Sequence, residues 1–212
     1  MPTLYGYFRS SAAYRTRIAF NLKGVPVDLA FVSLLKGEQK SADYTNKNPQ
    51  GLIPALETEQ GVLSQSMAIM EWLEVEHPKP SLLPGDSWQQ AQIRAFAFSI
   101  ACDIHPLNNL RVLKYITGEL GASEAQKNAW YAHWIQTGFA ALELSVKRHG
   151  GKFCFGNNPT LADVCLIPQI YNAERFNVDL SAYPTLMAVY QHCNSLPAFA
   201  DAKPEHQPDA QG

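Results

Sequence analysis

The chain has 212 residues, 46% hydrophobic and 17% charged, with a formal net charge of −2 at neutral pH. That is enough chain for one large core or two smaller ones, and the near balance of charge gives no electrostatic reason to expect nucleic acid or an anionic membrane as partner. No apolar run approaches the roughly 18–20 residues of a membrane span, and the N-terminus enters a strand pattern without a basic segment and apolar signal core, so a cytoplasmic location is expected.

The first element read along the chain is an apolar, aromatic run, Thr3–Phe8, long enough for one buried strand. A helical pattern follows, with Ile18, Ala19 and Leu22 on one face and Gly24 placed to end it. Between them lies Arg9-Ser10-Ser11, so both serines sit at a strand-to-helix turn. Free backbone N–H groups and the positive end of a helix dipole favour an anion there. Two hydroxyls at that point suit a phosphate, a carboxylate or a thiolate; the plainer alternative is that one of them only caps the helix.

Val27–Val32 reads as a second strand, followed by a polar stretch from Leu35 to Asn48 with one short irregular helix. Asn48-Pro49-Gln50-Gly51 then turns into a third strand that begins near Ile53-Pro54, with Gly61-Val62-Leu63 as its hairpin partner. Gln65-Ser66 opens a helix with Ile69, Met70, Trp72 and Leu73 as apolar positions, and Ser66 fits the cap. The order of elements matches a small α/β unit with a mixed sheet, the thioredoxin-like arrangement.

Three prolines and a glycine between Pro78 and Asp86 mark a boundary. The expected division is residues 1–80, a linker at 81–87, and an all-helical part at 88–212. Helices are expected from Trp88 to about Cys102, through Leu107–Ile116 with Pro106 in the first turn, and from Ser123 to about His149 with Trp130, Trp134, Phe139, Leu142 and Val146 inward. Thr160-x-x-Asp163 is a capping box with Asp in place of Glu, opening an almost wholly apolar helix that belongs at the centre of this part. Pro184 starts the last substantial helix, and the tail from Lys203 is expected to be loosely held. The four cysteines contain no C-x-x-C pair and the six histidines no H-x-x-x-H pair, so no metal is expected and most cysteines should serve as small core residues.

A thioredoxin-like domain, a proline linker and an all-helical domain with this capping box resemble the plan of the cytosolic glutathione transferases. Within them, Arg9-Ser10-Ser11-x-x-Tyr14-Arg15-x-Arg17-Ile18-Ala19 resembles the zeta-class signature S-S-C-x-W/H-R-V-R-I-A. Asn48-Pro49 with Ile53-Pro54, Gln65-Ser66-x-Ala68-Ile69, and Ala173-Glu174-Arg175-Phe176-x-Val178-Asp179 match it too. Ala12 stands where the family often has cysteine, which weakens a protein thiol nucleophile and suits a thiol supplied by glutathione.

The resemblance implies a glutathione-dependent cis–trans isomerase of the maleylacetoacetate or maleylpyruvate type, working in tyrosine or other aromatic catabolism, on a small dicarboxylate, as a homodimer. Its chemistry is reversible addition of a thiolate to an activated alkene, so that rotation takes place about a single bond. A free thiol has a pKa of about 8.5 and needs stabilising as the anion. By resemblance, Ser10, Ser11 and Arg15 serve that thiolate, Ser10 principally. Gln39, Ile53, Gln65, Ser66, His105 and Asn109 hold or border glutathione. Arg9, Arg111 and Arg175 are candidates for the substrate carboxylates, since arginine pairs with them bidentately and keeps its charge. Surface ion pairs, Arg111 with Asp103 and Arg175 beside Glu174, are the plain alternative, and Arg17 reads as structural. Two other functions stay open at this stage, a transferase or dehalogenase for small α-halo acids and a non-catalytic binding protein of the same fold.

Overall fold

The structure is a computed structural model and describes residues 1–211. It divides into two compact units, Met1–Ser81 together with the chain from Asn194 onward, and Leu82–Cys193. The break falls inside the proline-rich stretch, but the C-terminal segment groups with the first unit, where the sequence pattern placed it with the helices.

In the first unit, β1 (Thr3–Gly6), β2 (Asp28–Phe31), β3 (Ala55–Thr58) and β4 (Gly61–Ser64) form one sheet in the order β2-β1-β3-β4. β1 pairs parallel with β2, which requires the crossover helix α1 (Ser11–Lys23), whereas β1–β3 and β3–β4 are antiparallel. The register sets Leu4 opposite Leu56, both buried, while Leu29 and Phe31 on the edge strand β2 are exposed. The Ile53-Pro54 bond leading into β3 is cis, as is Lys79-Pro80.

Local chemistry bounds α1 at both ends. Ser10, in an extended conformation, accepts the Ala13 N–H, and Gly24 adopts a left-handed φ of 63° that a residue with a Cβ enters only at a cost. Ala13, Ile18, Ala19 and Phe20 are buried, and α1 packs on α3 (Ser66–Glu76), whose Ile69, Met70 and Leu73 are buried in turn. Each such large apolar side chain contributes roughly 1.5–3 kcal/mol. Lys23 ties the two helices together, its ammonium reaching Glu74 at 2.5 Å and the His77 carbonyl at 2.7 Å. The polar stretch before Asn48 holds a 3₁₀ turn (Glu38–Lys40) and α2 (Ala42–Thr45).

The second unit holds α4 (Ser87–Phe98), α5 (Leu110–Gly118), α6 (Glu124–His149), α7 (Leu161–Arg175) and most of α8 (Pro184–Asn194). α4 does not run to Cys102 as an α-helix; it widens into a π-helical segment over Ser99–Ile104. Pro106 is not in a helix's first turn. It lies in the turns before α5, which Asn109 caps through its side chain. α6 begins with a Ser123–Gln126 capping box, and Tyr131, Ile135, Phe139, Leu142 and Val146 form its buried stripe, with Trp130 and Trp134 only half-buried.

α7 lies where the capping box put it, packed on α4 and the π-helical segment, with twelve of its fifteen residues buried. Asp163, 0% exposed, accepts the Thr160 N–H at 2.8 Å, the Thr160 hydroxyl at 2.9 Å and the Cys154 N–H at 2.7 Å. Burial raises its carboxyl above the ordinary range, against the pull of those hydrogen bonds. Cys154, Cys165 and Cys193 are buried and Cys102 is exposed.

Past α8 come α9 (Pro197–Ala200) and two 3₁₀ turns, Pro204–His206 and Pro208–Gln211. The tail is held rather than loose: Asp209 accepts the Phe8 N–H at 2.9 Å, and buried Gln207 donates to the Asp201 and Lys203 carbonyls at 2.9 Å each. Asn21 on α1 donates to the Ala198 carbonyl at 3.0 Å, and the Arg17 guanidinium donates to the Ala202 carbonyl from Nε at 3.1 Å and Nη2 at 2.9 Å. Arg17 is buried, which lowers its pKa to about 10 while leaving it charged at neutral pH.

Candidate active site

The candidate residues fall on both units. In the first, the turn after β1 carries Arg9, Ser10 and Ser11. The Ser10 N–H donates to the Tyr7 carbonyl at 3.0 Å, which closes the turn, and Ser10 Oγ accepts the Ala13 N–H at 3.2 Å. Ser10 thus does cap α1. That role uses a lone pair of the hydroxyl and leaves its proton for an anion. Ser11, 8% exposed, is the first helical residue. No acidic side chain occupies the first turn of α1, so nothing on the helix offsets its positive end.

Arg15 is 2% exposed, and its guanidinium Nη1 lies 4.0 Å from Met67 Sδ in the first turn of α3. Its Nε is buried without a partner. The fold therefore seats this buried cation between α1 and α3, where it raises the potential at low dielectric. Arg9 is exposed, with its guanidinium carbon 4.8 Å from the Phe8 ring centre.

The second half of this unit's site is the loop 48–54 with the start of α3. Asn48 Nδ2 and the Tyr44 hydroxyl both donate to the Leu52 carbonyl at 2.7 Å, which fixes the peptide just ahead of Ile53. The main chain of Ile53 makes no hydrogen bond among the described residues. Gly51, at φ +59°, brings the loop against the Gln39 carbonyl, which a Cβ here would meet at 3.0 Å. The Gln39 side-chain oxygen is buried and unpartnered.

From sequence, Ser66 fits the cap of α3. In the structure Gln65 takes that position, at a φ of 72° rare for a residue with a side chain, and Ser66 is the first helical residue. No side chain caps this helix and its first turn holds no acid, so no capping side chain or carboxylate competes with an anion at its positive end. Gln65 Nε2 instead reaches Gln50 Oε1 at 2.9 Å, linking the loop to the helix. Gln50 and Asn48 anchor this half. The only signal of that in sequence is their place in a polar turn.

On the second unit, Asn109 Oδ1 accepts the Arg111 N–H at 3.1 Å as the cap of α5, and His105 closes the π-helical segment. Arg111 is exposed and makes no ion pair with Asp103. Arg175, at the end of α7, is exposed and lies 5.0 Å from the Phe176 ring centre. Glu174 accepts from the Tyr190 hydroxyl at 2.7 Å instead of pairing with Arg175. Among the described residues, then, Arg9, Arg111 and Arg175 are three cations without a carboxylate partner.

Residues 9–76 match the glutathione S-transferase N-terminal domain and residues 108–201 the glutathione S-transferase C-terminal domain. The chain belongs to the glutathione S-transferase family. A relative from Vibrio cholerae, described as a probable maleylacetoacetate isomerase, is 49% identical over 98% of this chain and 97% of its own. The structure superposes with a TM-score of 0.95 on the holo structure of a maleyl pyruvate isomerase, described as a bacterial glutathione S-transferase in zeta class. The two are 47% identical over 98% of this chain and 99% of that one. The maleylacetoacetate isomerase of Anaeromyxobacter dehalogenans, solved with glutathione bound in its active site, gives a TM-score of 0.90. It is 42% identical over 99% of this chain and 98% of its own.

This transferase is thus of the zeta class that the Ser10-Ser11 motif resembles. Its N-terminal family domain spans Ser10, Ser11, Gln39, Ile53, Gln65 and Ser66; its C-terminal one spans Asn109, Arg111 and Arg175, with His105 just outside.

Proposed function

We propose that this glutathione S-transferase is a glutathione-dependent isomerase that converts maleylacetoacetate or maleylpyruvate to the fumaryl isomer. The similar proteins over the whole chain carry those names. The observation in this molecule that carries the reading is the pair of helix N-termini in one unit. Neither has an acidic residue in its first turn, one presents the Ser10 hydroxyl, and the other is uncapped beside a positive-φ Gln65.

Glutathione fits these groups. Its γ-glutamyl carboxylate suits the start of α3 at Gln65 and Ser66, and its peptide suits the unbonded main chain of Ile53 and the unpartnered oxygen of Gln39. When bound, it supplies a thiolate able to add reversibly to the maleyl double bond. The protein's part is electrostatic and positional. Ser10 donates its hydroxyl proton to the sulfur anion, with Ser11, the α1 dipole and buried Arg15 adding to the positive potential. The family resemblance assigns His105 and Asn109 to glutathione and Arg9, Arg111 and Arg175 to the substrate carboxylates, which arginine binds bidentately.

Isomerisation, followed by loss of the cis-enedione absorbance, should require glutathione and should fail with S-methylglutathione, which keeps the binding groups and lacks the thiol. Activity without any thiol would overturn the mechanism. The enzyme is also proposed to be a cytoplasmic homodimer, serving tyrosine or other aromatic breakdown. Among the described residues no helix is long and apolar enough to cross a membrane. Light scattering that finds a stable monomer at micromolar concentration would refute the dimer.

A further inference from the structure

We infer that the C-terminal segment from Ala202 to Asp209 is a strap that positions the serine turn, with Asp209 as its positioning residue. Asp209 Oδ2 accepts the Phe8 N–H at 2.9 Å, across 201 residues of sequence. Phe8 lies two positions before Ser10, and its own carbonyl accepts from Arg17 Nη2 at 3.2 Å. The same guanidinium nitrogen donates to the Ala202 carbonyl at 2.9 Å. Both polar groups of Phe8 are therefore held, one by the tail directly and one by an arginine that also grips the tail. The turn that aims Ser10 is built on this residue, since Ser10 N–H closes onto the neighbouring Tyr7 carbonyl.

The strap is itself braced. Gln207 is buried, and its Nε2 donates to the carbonyls of Asp201 and Lys203 at 2.9 Å each. Pro204 and Pro208 each begin a 3₁₀ turn, so the tail reaches Phe8 as a preformed shape. The other oxygen of Asp209 is buried without a partner. The charge of Asp209 favours the buried Arg17 guanidinium, and its one hydrogen bond goes to the peptide that leads into the serine turn.

The strap's effect on the sulfur rests on the glutathione reading above, so the test has one arm independent of it. In the unliganded enzyme, hydrogen exchange at the Phe8 amide should speed up about tenfold or more in Asp209→Ala and stay near wild type in Asp209→Asn, which keeps an acceptor. In the glutathione-bound enzyme, thiolate absorbance near 240 nm should show the thiolate fraction at neutral pH falling about three- to tenfold in Asp209→Ala, the range of one weakened hydrogen bond. kcat should fall with it, with little change in the KM for glutathione, and Asp209→Asn should restore both. Gln207→Ala, matched for loss of melting temperature, should leave the thiolate nearly unchanged.

Unchanged Phe8 exchange in Asp209→Ala overturns the inference, as does a thiolate loss that Gln207→Ala reproduces. Should Asp209→Ala not fold, Asp209→Glu keeps the charge but displaces the acceptor, and wild-type exchange and titration in it overturn the inference equally. If wild-type enzyme holds no glutathione thiolate at neutral pH, the reading of the site fails, and the exchange arm still decides whether the tail holds Phe8.

Discussion

Ser10 caps α1 with its hydroxyl and is proposed to donate the same group's proton to the glutathione sulfur, and the two roles are separable by measurement. As a cap its oxygen accepts the Ala13 N–H, so Ser10→Ala should lower stability by about 1 kcal/mol. As donor to a sulfur anion it is worth about 1.5–3 kcal/mol, so the same change should slow isomerisation roughly ten- to a hundredfold and raise the thiol pKa seen near 240 nm. Arg175→Ala should leave that titration where it is and weaken substrate, chiefly through kcat/KM, since its guanidinium has no carboxylate partner among the described residues. If Arg175→Ala moves the thiol and Ser10→Ala does not, the two roles are misassigned. Ser10 was legible because capping depends on three or four consecutive residues. The neighbour of Arg15 was not, since Met67 lies 52 residues away and only packing of α1 on α3 brings it near.

Among the elements, α8 begins at the proline that the sequence marks, but the groups that satisfy its first turn come from far along the chain. It starts at Pro184, and Glu143 of α6 supplies the acceptors, taking the Thr185 N–H at 3.1 Å and the Leu186 N–H at 3.0 Å. Burial pushes the Glu143 carboxyl up, but those bonds and Lys147 outweigh it and hold it below the ordinary value. Glu143→Ala leaves two donors near the core unmet, which costs about 1–3 kcal/mol, or roughly 3–10 °C in melting temperature for a chain this size. Because the folded pKa is depressed, the stabilisation is present above the unfolded value, near 4.5, and is lost as pH falls through the folded one. The stability gap between wild type and Glu143→Gln should therefore narrow in acid; a gap constant from pH 7 to pH 3 would contradict the assignment. The start of α7 was readable from Thr160 because a capping box is written in four residues; the box at Ser123 and Gln126 that opens α6 is seen in the structure. The start of α3 was misplaced by one, because a positive φ at Gln65 is imposed by the loop it meets.

For the whole molecule, a ligand held only by the folded state must stabilise it. At a hundredfold excess over its dissociation constant glutathione should add about 2.7 kcal/mol, raising the melting temperature by roughly 5–11 °C. S-methylglutathione should do nearly the same while supporting no isomerisation, and a melting curve indifferent to both would argue against the site. The C-terminal chain belongs to this scale too. Lys203 onward has little apolar content, yet Asp209 accepts the Phe8 N–H and Gln207 donates to the Asp201 and Lys203 carbonyls, while Arg17 and Asn21 hold the Ala202 and Ala198 carbonyls just before it.

The order of strands and helices, the capped starts of α1 and α7 and the family were all contained in the sequence. Each rests on periodicity, turn chemistry or residues close in the chain. Tertiary structure alone decided what depends on distant partners. It made the Ile53-Pro54 bond cis, buried Arg15 beside Met67, and left Arg111 and Arg175 without a carboxylate partner although acids lie near them in sequence. It also carried the tail back to β1. The physical reason is that a mid-helix arginine and an isolated aspartate carry no local signal of each other: Arg17 and Asp209 meet at Phe8 only because the folded chain leaves its N–H and carbonyl in need of partners there.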